Sequence, residues 1–483
     1  MSIQAPSLLS LDDIINDIGF GRFQFRIYIF TLLIVVNYIT HVVLSGYILP
    51  AITNQWNLSL YEQSFLGCLE YFMQVVASFI TSHSTPYGRK KPIIISMIIW
   101  TGSVFLTCFF NNFYAFCFFR SLTACSSLIC NMVSYTLLSE VLPMNNRGKW
   151  LGSFEFFVIL GHLQLILFMM ATFNSLGEGN IQLFIFFLFL SLLFTCVVVV
   201  LICDESPRYL SFHNKVQECI ALLDKIMQEN KKDKEIYMTS EKKENFERWI
   251  KLMENEEIKK NNSEKVEFKS IFKGIYKKIT ITLYFVWFAN CLVSAGNDYI
   301  LPMTLYKVFN SDDHSENVMM MMLCINIITI PFLIPAVWAT DMKIFGRKKT
   351  LTLSLLLLGI SCLFIWMDIF LNIFVWLIAA KYAIAINYMI LSIYTNEIYP
   401  TKLRSLGYGS SVGLGKIGSI FSPIVSVFLC ATNPLLPFGF FSVISIIGGI
   451  LLVNLKYDTT NEDMDRILKE DVELSLLEIK NPE

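Results

Sequence analysis

Ionisable side chains interrupt the long apolar runs of this 483-residue sequence. A charged group at the centre of a bilayer costs about 2.5–3.5 kcal/mol, so each one needs a compensating partner or a function. Asparagine and glutamine residues in the same runs add uncharged polarity. We therefore predict a polar cavity between helices rather than a bundle closed by apolar packing alone. The ionisable residues are His41, Glu70, Arg120, Glu155, His162, Asp298, Lys381 and Lys416.

The two lysines of this set, Lys381 and Lys416, lie well inside their apolar runs. At that depth an ammonium group reaches the membrane surface with difficulty, so the positions predict a buried partner or a bound anion. His41 and His162 have the ionisation range that proton coupling requires, and a neutral imidazole packed between helices is the alternative. The predicted substrate cavity consists of Lys416, Lys381, Asn290, Asn297, Asp298 and His41.

Three of the charged residues have individual interpretations. Asp298 follows Gly296 and precedes Pro302, a pattern that predicts a helix break near the outer mouth of a pathway. Arg120 is predicted to be a buried structural cation bonded to helix carbonyls. Glu155 is also predicted to be structural, since it lies close enough to a helix start to reach the cytosolic face.

The runs that carry these residues are about 20 residues long, the length that crosses a bilayer as a helix. The chain is 54% hydrophobic and 16% charged, with a mean hydropathy of +0.55. A soluble domain is nearer to about 25% charged. We predict an all-α membrane protein with twelve transmembrane helices, near residues 27–50, 62–83, 92–110, 113–139, 150–173, 181–203, 280–306, 317–340, 350–367, 371–396, 405–430 and 435–455.

Three sequence motifs occur twice, in the same order. SEVLPMNNRGKWLG at Ser139–Gly152 matches NEIYPTKLRSLGYG at Asn396–Gly409, with the shared glutamates 257 residues apart. YGRKK recurs as FGRKK, and YILP occurs in both parts of the chain. Repetition at a nearly constant spacing indicates a duplicated unit, and thus two six-helix halves in the same topological sense.

The predicted segments follow from this duplication. A central loop rich in Lys and Glu separates the halves, and apolar residues at helical spacing around Val216–Met227 and Phe246–Met253 predict amphipathic helices in it. The segments are an N-terminal cytosolic stretch at 1–26, the first half at 27–203, the central loop at 204–279, the second half at 280–456 and a cytosolic tail at 457–483.

Basic residues concentrate in one alternate set of short loops. The positive-inside rule places these loops, and with them both termini, in the cytosol. Acidic residues at two helix ends repeat alongside the basic ones, which predicts ion pairs between the halves that hold the cytosolic side shut; fixed charge that only sets orientation is the alternative. These residues are Arg89, Glu140, Arg147, Arg347, Glu397 and Arg404.

Several classes of function are disfavoured. The 12 cysteines are scattered without a CxxC pair, so no metal site or disulfide framework is expected. The sequence has neither a GxxxxGK[ST] phosphate loop nor an HExxH motif, so we expect no enzyme activity, catalytic residue or cofactor. A channel is disfavoured because no charge ring or pore loop is evident. No nucleic-acid partner is expected.

The motifs together resemble the major facilitator superfamily. Within it, the chain is similar to the organic ion transporter and synaptic-vesicle-protein-related branch, in its short-loop subgroup. The residues that carry the resemblance are IGFGRFQ at Ile18–Gln24, the two GRKK loops, SEVLP…RGKW, ESPRYL at Glu205–Leu210, and the stretch Ala379–Gly409.

This resemblance implies two six-helix bundles around a central cavity, alternating access, a cytosolic gate with Glu205 nearby, and a monomer. It implies an anionic substrate, because the position of Lys416 tends to be basic in anion carriers. Thr85 stands where the family usually has an aspartate in its first cytosolic loop, and Asp341 is displaced in the second copy. These departures imply an altered gate.

The sequence thus predicts a multi-pass transporter that moves a small organic solute, an organic anion in particular. The alternative is a transport-inactive protein of the same fold that binds a vesicle or membrane partner through residues 204–279. The membrane is the plasma membrane or that of an intracellular vesicle, and coupling to a proton or another ion is left open.

Overall fold

The computed structural model describes residues 11–83, 87–144, 150, 153–213, 215–232, 245–246, 268–309, 315–341, 346–367, 373–399 and 403–459. Over these ranges the chain forms fifteen α-helices, a short 3-10 helix at Phe268–Phe272 and one antiparallel hairpin. Strands β1 (Phe173–Ser175) and β2 (Glu178–Gly179) make the hairpin, in which Phe173 is paired with Gly179.

Nine helices belong to the first half and to the segments on either side of it. They are α1 (Leu11–Ile18), α2 (Arg22–Trp56), α3 (Leu60–His83), α4 (Lys90–Thr107), α5 (Phe113–Val141), α6 (Phe154–Thr172), α7 (Ile181–Ile202), α8 (Pro207–Phe212) and α9 (Val216–Glu229).

The second half contributes six helices. They are α10 (Ile275–Phe309), α11 (Ser315–Asp341), α12 (Gly346–Met367), α13 (Ile373–Ile398), α14 (Arg404–Thr432) and α15 (Leu436–Val453).

Twelve long helices coincide with the twelve predicted spans, so the predicted fold class is confirmed. Within the described ranges, nine of them are long and apolar enough to cross a membrane, and two shorter apolar segments lie at Phe156–Thr172 and Val318–Phe332. The remaining one, α4, opens with two lysines. Helix α7 has a mean hydropathy of 3.2 and only a third of its residues are buried, as expected for a helix at the lipid-facing surface.

Local signals explain several helix boundaries. The side chain of Asn112 accepts hydrogen bonds from the amides of Tyr114 and Ala115 at the start of α5. Asn180 and Ser206 cap α7 and α8 in the same way. Such caps satisfy amides that have no partner within the helix.

The bundle has two ends, a basic end and a far end. The basic end is where α2 and α10 begin and where Arg89, Glu140, Arg347 and Glu397 lie; the far end is where α2 and α10 finish. Helices of different halves pack against each other in the pairs α2–α10, α3–α14 and α6–α11.

Short helices cover the first half at its basic end. Helix α1, which the sequence analysis did not predict, buries Leu11, Ile14, Ile15 and Ile18. Helix α9 lies in the stretch predicted as amphipathic and buries Leu223 and Met227, whereas the second predicted amphipathic stretch falls almost wholly outside the described residues. The carboxylate of Asp204, between α7 and α8, binds the basic groups of Arg26 and Lys225, both at 2.7 Å.

The predicted helix break around Asp298 is wrong. Helix α10 runs without interruption from Ile275 to Phe309 with Pro302 inside it. Proline removes one amide donor, but the rest of the helix keeps its hydrogen bonds and is packed on several sides by other helices. Local Gly and Pro preferences are therefore overridden by tertiary packing.

Candidate functional site

A cavity of ≈390 Å³ lies between the two halves. Helices α2, α3, α5 and α6 line one side of it, and α10, α11, α13 and α14 line the other. Its lining extends to Phe154, the first residue of α6 at the basic end. Its polar residues are Tyr38, Tyr71, Gln74, Asn131, Tyr135, His162, Ser294, Asp298, Thr329, Lys381, Tyr388, Ser392, Lys416 and Ser419.

Three of these residues form a charged cluster that crosses the interface. Nζ of Lys381 donates to Oδ1 of Asp298 at 2.6 Å. The same ammonium contacts Nε2 of His162, on the opposite half, at 3.0 Å. His162 and Asp298 are 3.8 Å apart, measured from Nε2 to Oδ1. A single ammonium group therefore bridges a carboxylate of one half and an imidazole of the other.

The second lysine has a different kind of partner. Nζ of Lys416 on α14 donates to Oε1 of Gln74 on α3 at 3.3 Å. Gln74 is buried and carries no charge. The positive charge of Lys416 is consequently not neutralised by this contact.

The structure places only part of the predicted cavity set around the cavity. Lys416, Lys381 and Asp298 line it, while His41, Asn290 and Asn297 are buried outside its lining. His41, Asn290 and Asn297 are predicted to line the cavity because they are polar within apolar runs, but that property does not determine which face of a helix they occupy. The lining also includes residues outside the predicted cavity set, namely His162, and Gln74 and Tyr71, which lie one turn apart on α3.

His41 belongs to a separate buried cluster in the first half. Its backbone carbonyl accepts a hydrogen bond from Nη2 of Arg120 at 2.6 Å, and its ring lies edge-on to Trp100. Nε of Arg120 also donates to Glu70 Oε1 at 2.8 Å, and Ser45 donates to the same oxygen. Arg120 and Glu70 are 2% and 5% exposed, so the pair is sealed from solvent. The side chain of Glu155 lies outside what the structure describes.

The predicted gate residues of the first half form a compact network at the basic end. Arg89 binds Glu140 through two hydrogen bonds, from Nη2 at 2.9 Å and from Nε at 3.2 Å. The backbone amide of Arg89 donates to Glu205 Oε1 at 2.6 Å. Gly88 has φ +87°, and a Cβ there would lie 2.4 Å from the Glu205 carboxylate, so this turn requires glycine. Glu205 thus anchors the α3–α4 turn.

The second half repeats the acid–base pair, between Arg347 at the start of α12 and Glu397 at the end of α13. Arg404 is exposed, and Arg147, Thr85 and the side chain of Asp341 lie outside the described residues. The prediction of pairs between the halves is wrong for both described pairs, since each one joins helices of a single half. Neighbouring helices of the same half end at the same level, which brings their terminal side chains together.

The far end is closed by close packing of the two halves. A Cβ at Gly46 would lie 2.6 Å from the carbonyl oxygen of Asp298 and 2.6 Å from Cα of Tyr299. The hydroxyl of Tyr299 donates to the Gln63 carbonyl at 2.5 Å, across the interface. Pro50 and Pro302 occupy equivalent positions in α2 and α10, four residues after Gly46 and Asp298. Because proline has no amide hydrogen, the carbonyl oxygens of Gly46 and Asp298 lack the amide donor that a helix normally supplies four residues later.

Comparison with known proteins agrees with this architecture. A family model described as sugar (and other) transporter matches residues 45–467. This chain belongs to that family, which is part of the major facilitator superfamily. It is 22% identical over 443 residues to a synaptic vesicle 2-related protein of Xenopus laevis, covering 86% of this chain and 75% of the relative.

Transporters are among its relatives and structural neighbours. It is 23% identical to organic cation/carnitine transporter 7 of Arabidopsis thaliana, with 94% and 95% of the two chains covered. The inward open conformation of the xylose transporter XylE from E. coli matches 92% of this chain and 99% of its own, with a TM-score of 0.70 and 15% identity. A D-xylose-proton symporter structure matches with a TM-score of 0.65, 15% identity, and 91% and 99% coverage. At these identities the structures bear on the fold alone, which is the major facilitator fold.

Proposed function

We propose that this transporter moves a small organic anion through the central cavity. The observation that carries the proposal is the charge of the cavity lining. Among the described lining residues, Lys381 and Lys416 are basic and Asp298 is the carboxylate that opposes them. Asp298 binds Lys381, whereas the hydrogen bond that Lys416 makes with the described part of the chain goes to the neutral amide of Gln74. One positive charge is left for a ligand.

The size and lining of the cavity suit a small organic molecule. Ligand pockets typically enclose about 300–1,000 Å³, and this one encloses ≈390 Å³. Tyr38, Tyr71 and Tyr388 supply aromatic surface beside polar groups. A solute with an apolar or aromatic body and one anionic group would use both kinds of surface.

Alternating access is the transport mode that this arrangement supports. The cavity extends toward the basic end, and the halves meet at Gly46 and Tyr299 toward the far end. With the basic loops in the cytosol, as the positive-inside rule requires, the cavity faces the cytosol and both termini share that side. We place the protein in the plasma membrane or an intracellular vesicle membrane, acting as a monomer.

The alternative, a transport-inactive binding partner, is less well supported. In the part of the central loop that the structure describes, Leu223, Ile226 and Met227 are buried. These apolar groups belong to the same packed core as the first half. They are therefore unavailable to a partner in this arrangement.

The test is ligand-induced stabilisation of the purified full chain in detergent. The panel contains benzoate, L-carnitine, tetraethylammonium and D-xylose, so that an anion, a zwitterion, a cation and a sugar are each tested under the same conditions. A ligand at a hundred times its Kd raises the free energy of unfolding by about 2.7 kcal/mol. We expect benzoate to stabilise the protein, Lys416→Gln to abolish the effect, and Lys278→Gln, at an exposed position, to retain it.

Stabilisation by tetraethylammonium or D-xylose alone would contradict an anion carrier. So would a benzoate effect that is undiminished in Lys416→Gln, because the proposed charge would then not be the one that the ligand uses.

A further inference from the structure

The position of His162 has a consequence beyond the binding of an anion. His162 lies on α6 of the first half, and its side chain is 4% exposed. Its Nε2 points to Lys381 at 3.0 Å and lies 3.8 Å from Asp298, both on the second half. The imidazole ring of His162 thus lies between the halves and contacts the ammonium group of Lys381, which in turn binds Asp298.

The hydrogen bonds of the ring define its protonation state in this arrangement. Nδ1 of His162 is 3.0 Å from the carbonyl oxygen of Val158, and a carbonyl can only accept. Nδ1 therefore carries the hydrogen. Nε2 faces an ammonium group, which can only donate, so Nε2 presents its lone pair to Lys381. The ring is neutral here, with a basic nitrogen directed at the charged cluster.

The elements around the ring offer few other charges. Helix α2, which also packs against α6, contributes Tyr38 to the lining, and its His41 lies in the separate cluster around Arg120. Helix α7 has no ionisable side chain except Cys196, and α11 has none except Cys324 between 318 and 332. Asp298 is the one carboxylate among the described lining residues. The remaining titratable groups of the lining are Tyr38, Tyr71, Tyr135, Tyr388 and Lys416. A proton that enters this region finds one basic nitrogen and one carboxylate, and the carboxylate already holds Lys381.

We propose that His162 binds the proton that is cotransported with the anion, an inference that rests on the proposed function. A proton adds to Nε2, and no other covalent bond changes. Nε2 is then a donor and no longer accepts from Lys381, so the hydrogen bond between them is lost. The new N–H turns to Asp298 and replaces Lys381 on its carboxylate. Lys381 is thereby released to bind the carboxylate of the substrate.

The charges give the stoichiometry. With neutral His162, the described lining carries Lys381, Lys416 and Asp298, a net charge of +1. One proton and one monovalent anion add charges that cancel. The empty and the fully loaded cavity therefore carry the same net charge, and transport of the pair is electroneutral. The anion bound without a proton meets a cavity in which Lys381 is still held by Asp298.

The proton site can be tested without a substrate. The chain has only five histidines, so a ¹⁵N-histidine-labelled full chain gives a simple NMR spectrum, in which His162→Gln identifies the His162 signals. We expect the Nδ1–H tautomer in the neutral ring and a second ring proton, on Nε2, when the pH is lowered. An Nε2–H tautomer, or a ring that gains no second proton at any pH at which the protein stays folded, would overturn the assignment.

Coupling to the anion is tested by calorimetry of benzoate binding at about pH 6 and about pH 8 in buffers of different ionisation enthalpy. We expect proton uptake approaching one per benzoate at a pH where the ring of the unliganded protein is neutral, and an affinity that rises there by up to about tenfold for each unit that pH falls. His162→Gln should bind at every pH with the weaker affinity of the unprotonated wild type. His83→Gln, which changes an exposed histidine whose Nδ1 also bonds a backbone carbonyl, is the matched control.

The outcomes separate the two proposals. Benzoate binding without proton uptake would overturn the coupling and leave the anion carrier standing. Absence of benzoate binding at any pH would overturn the proposed function and the coupling with it, while the NMR titration still decides whether His162 binds a proton.

Discussion

Lys416 donates a hydrogen bond to Gln74 across the interface between the halves, with Nζ and Oε1 3.3 Å apart. The bond joins α3 to α14 at the lining of the central cavity. Its acceptor is neutral, so it holds the ammonium group in place without cancelling its charge. The pair therefore combines two properties that the proposed anion carrier needs, a fixed cation and a contact weak enough to be exchanged for a ligand.

Replacing the neutral acceptor by a carboxylate should remove the first of these properties. Gln74→Glu would place an opposite charge within bonding distance of Lys416, and charge-assisted hydrogen bonds contribute about 1.5–3 kcal/mol. A competing interaction of that size weakens benzoate binding by about tenfold or more, measured by calorimetry. Gln74→Met removes the hydrogen bond without adding charge and should not weaken binding. Equal affinities for the two variants would show that the charge of Lys416 is irrelevant.

Closure of the far end should depend on the missing side chain at Gly46. In Gly46→Ala the new methyl group would meet backbone atoms of α10 at 2.6 Å, which cannot rotate away, so the halves must separate there. Cys68, which donates to the Ile420 carbonyl across the same interface, should then react faster with a maleimide. Mass spectrometry of the labelled peptide gives the rate.

Gly102→Ala is the control for this experiment, since a Cβ at Gly102 meets no atom within 4 Å. Its labelling rate at Cys68 should equal that of the wild type. If Gly46→Ala also leaves that rate unchanged, the packing around Gly46 does not hold the far end shut.

The two Arg–Glu pairs should stabilise the halves individually. In double-mutant cycles to Ala, Arg89 with Glu140 should show a coupling of about 0.5–3 kcal/mol, because removal of one partner leaves the other partly buried and unpaired. Arg347 with Glu397 should behave likewise. When Arg89→Ala is combined with Glu397→Ala, which belong to different pairs, their effects on thermal unfolding should be additive. Coupling in the cross-combination would instead reveal a latch between the halves.

Asp204 lies outside the membrane-spanning helices, where short helices cover the basic end of the first half. Its ion pairs should make the free energy of unfolding depend on pH in the acid range. Burial raises the pKa of this carboxyl, but hydrogen bonds and charges from Lys225 and Arg26 outweigh it and lower the pKa below the usual value of 3.8. A lowered pKa in the folded state adds stability above the unfolded pKa, and this stability is lost as pH falls through the folded pKa. The wild type should unfold at a higher temperature than Asp204→Asn near neutral pH, and the difference should shrink below about pH 4. A constant difference down to acid pH would contradict the assignment.

Long apolar runs and repeated motifs were sufficient to predict the twelve helices and the two halves, because burial in a bilayer imposes a length and a composition on each helix. Helix α1 was missed even though Leu11, Ile14, Ile15 and Ile18 have helical spacing, since it is short and lies outside the apolar runs. Residue types alone could not predict the face on which a polar residue lies.

Which residues contact each other was harder to predict than which residues take part in the site. Lys381 and Asp298 were both selected from the sequence, but they are 83 residues apart, and His162 is 219 residues from Lys381. Rotation and vertical register of each helix determine such contacts, and neither is encoded in local propensity. The predicted gate residues show the same limit, since the two described pairs, Arg89–Glu140 and Arg347–Glu397, each lie within one half instead of joining the halves.

The proline positions at the far end have a consequence for hydration. Pro50 and Pro302 leave the carbonyls of Gly46 and Asp298 without their helical donors, and the Asp298 carbonyl oxygen lies against Gly46 in the interface between α2 and α10. When the halves part, water can hydrogen-bond to the Asp298 carbonyl, which offsets part of the packing that is lost. The closed and open states are thus brought closer in free energy. A solute of modest affinity can then tip the equilibrium between them.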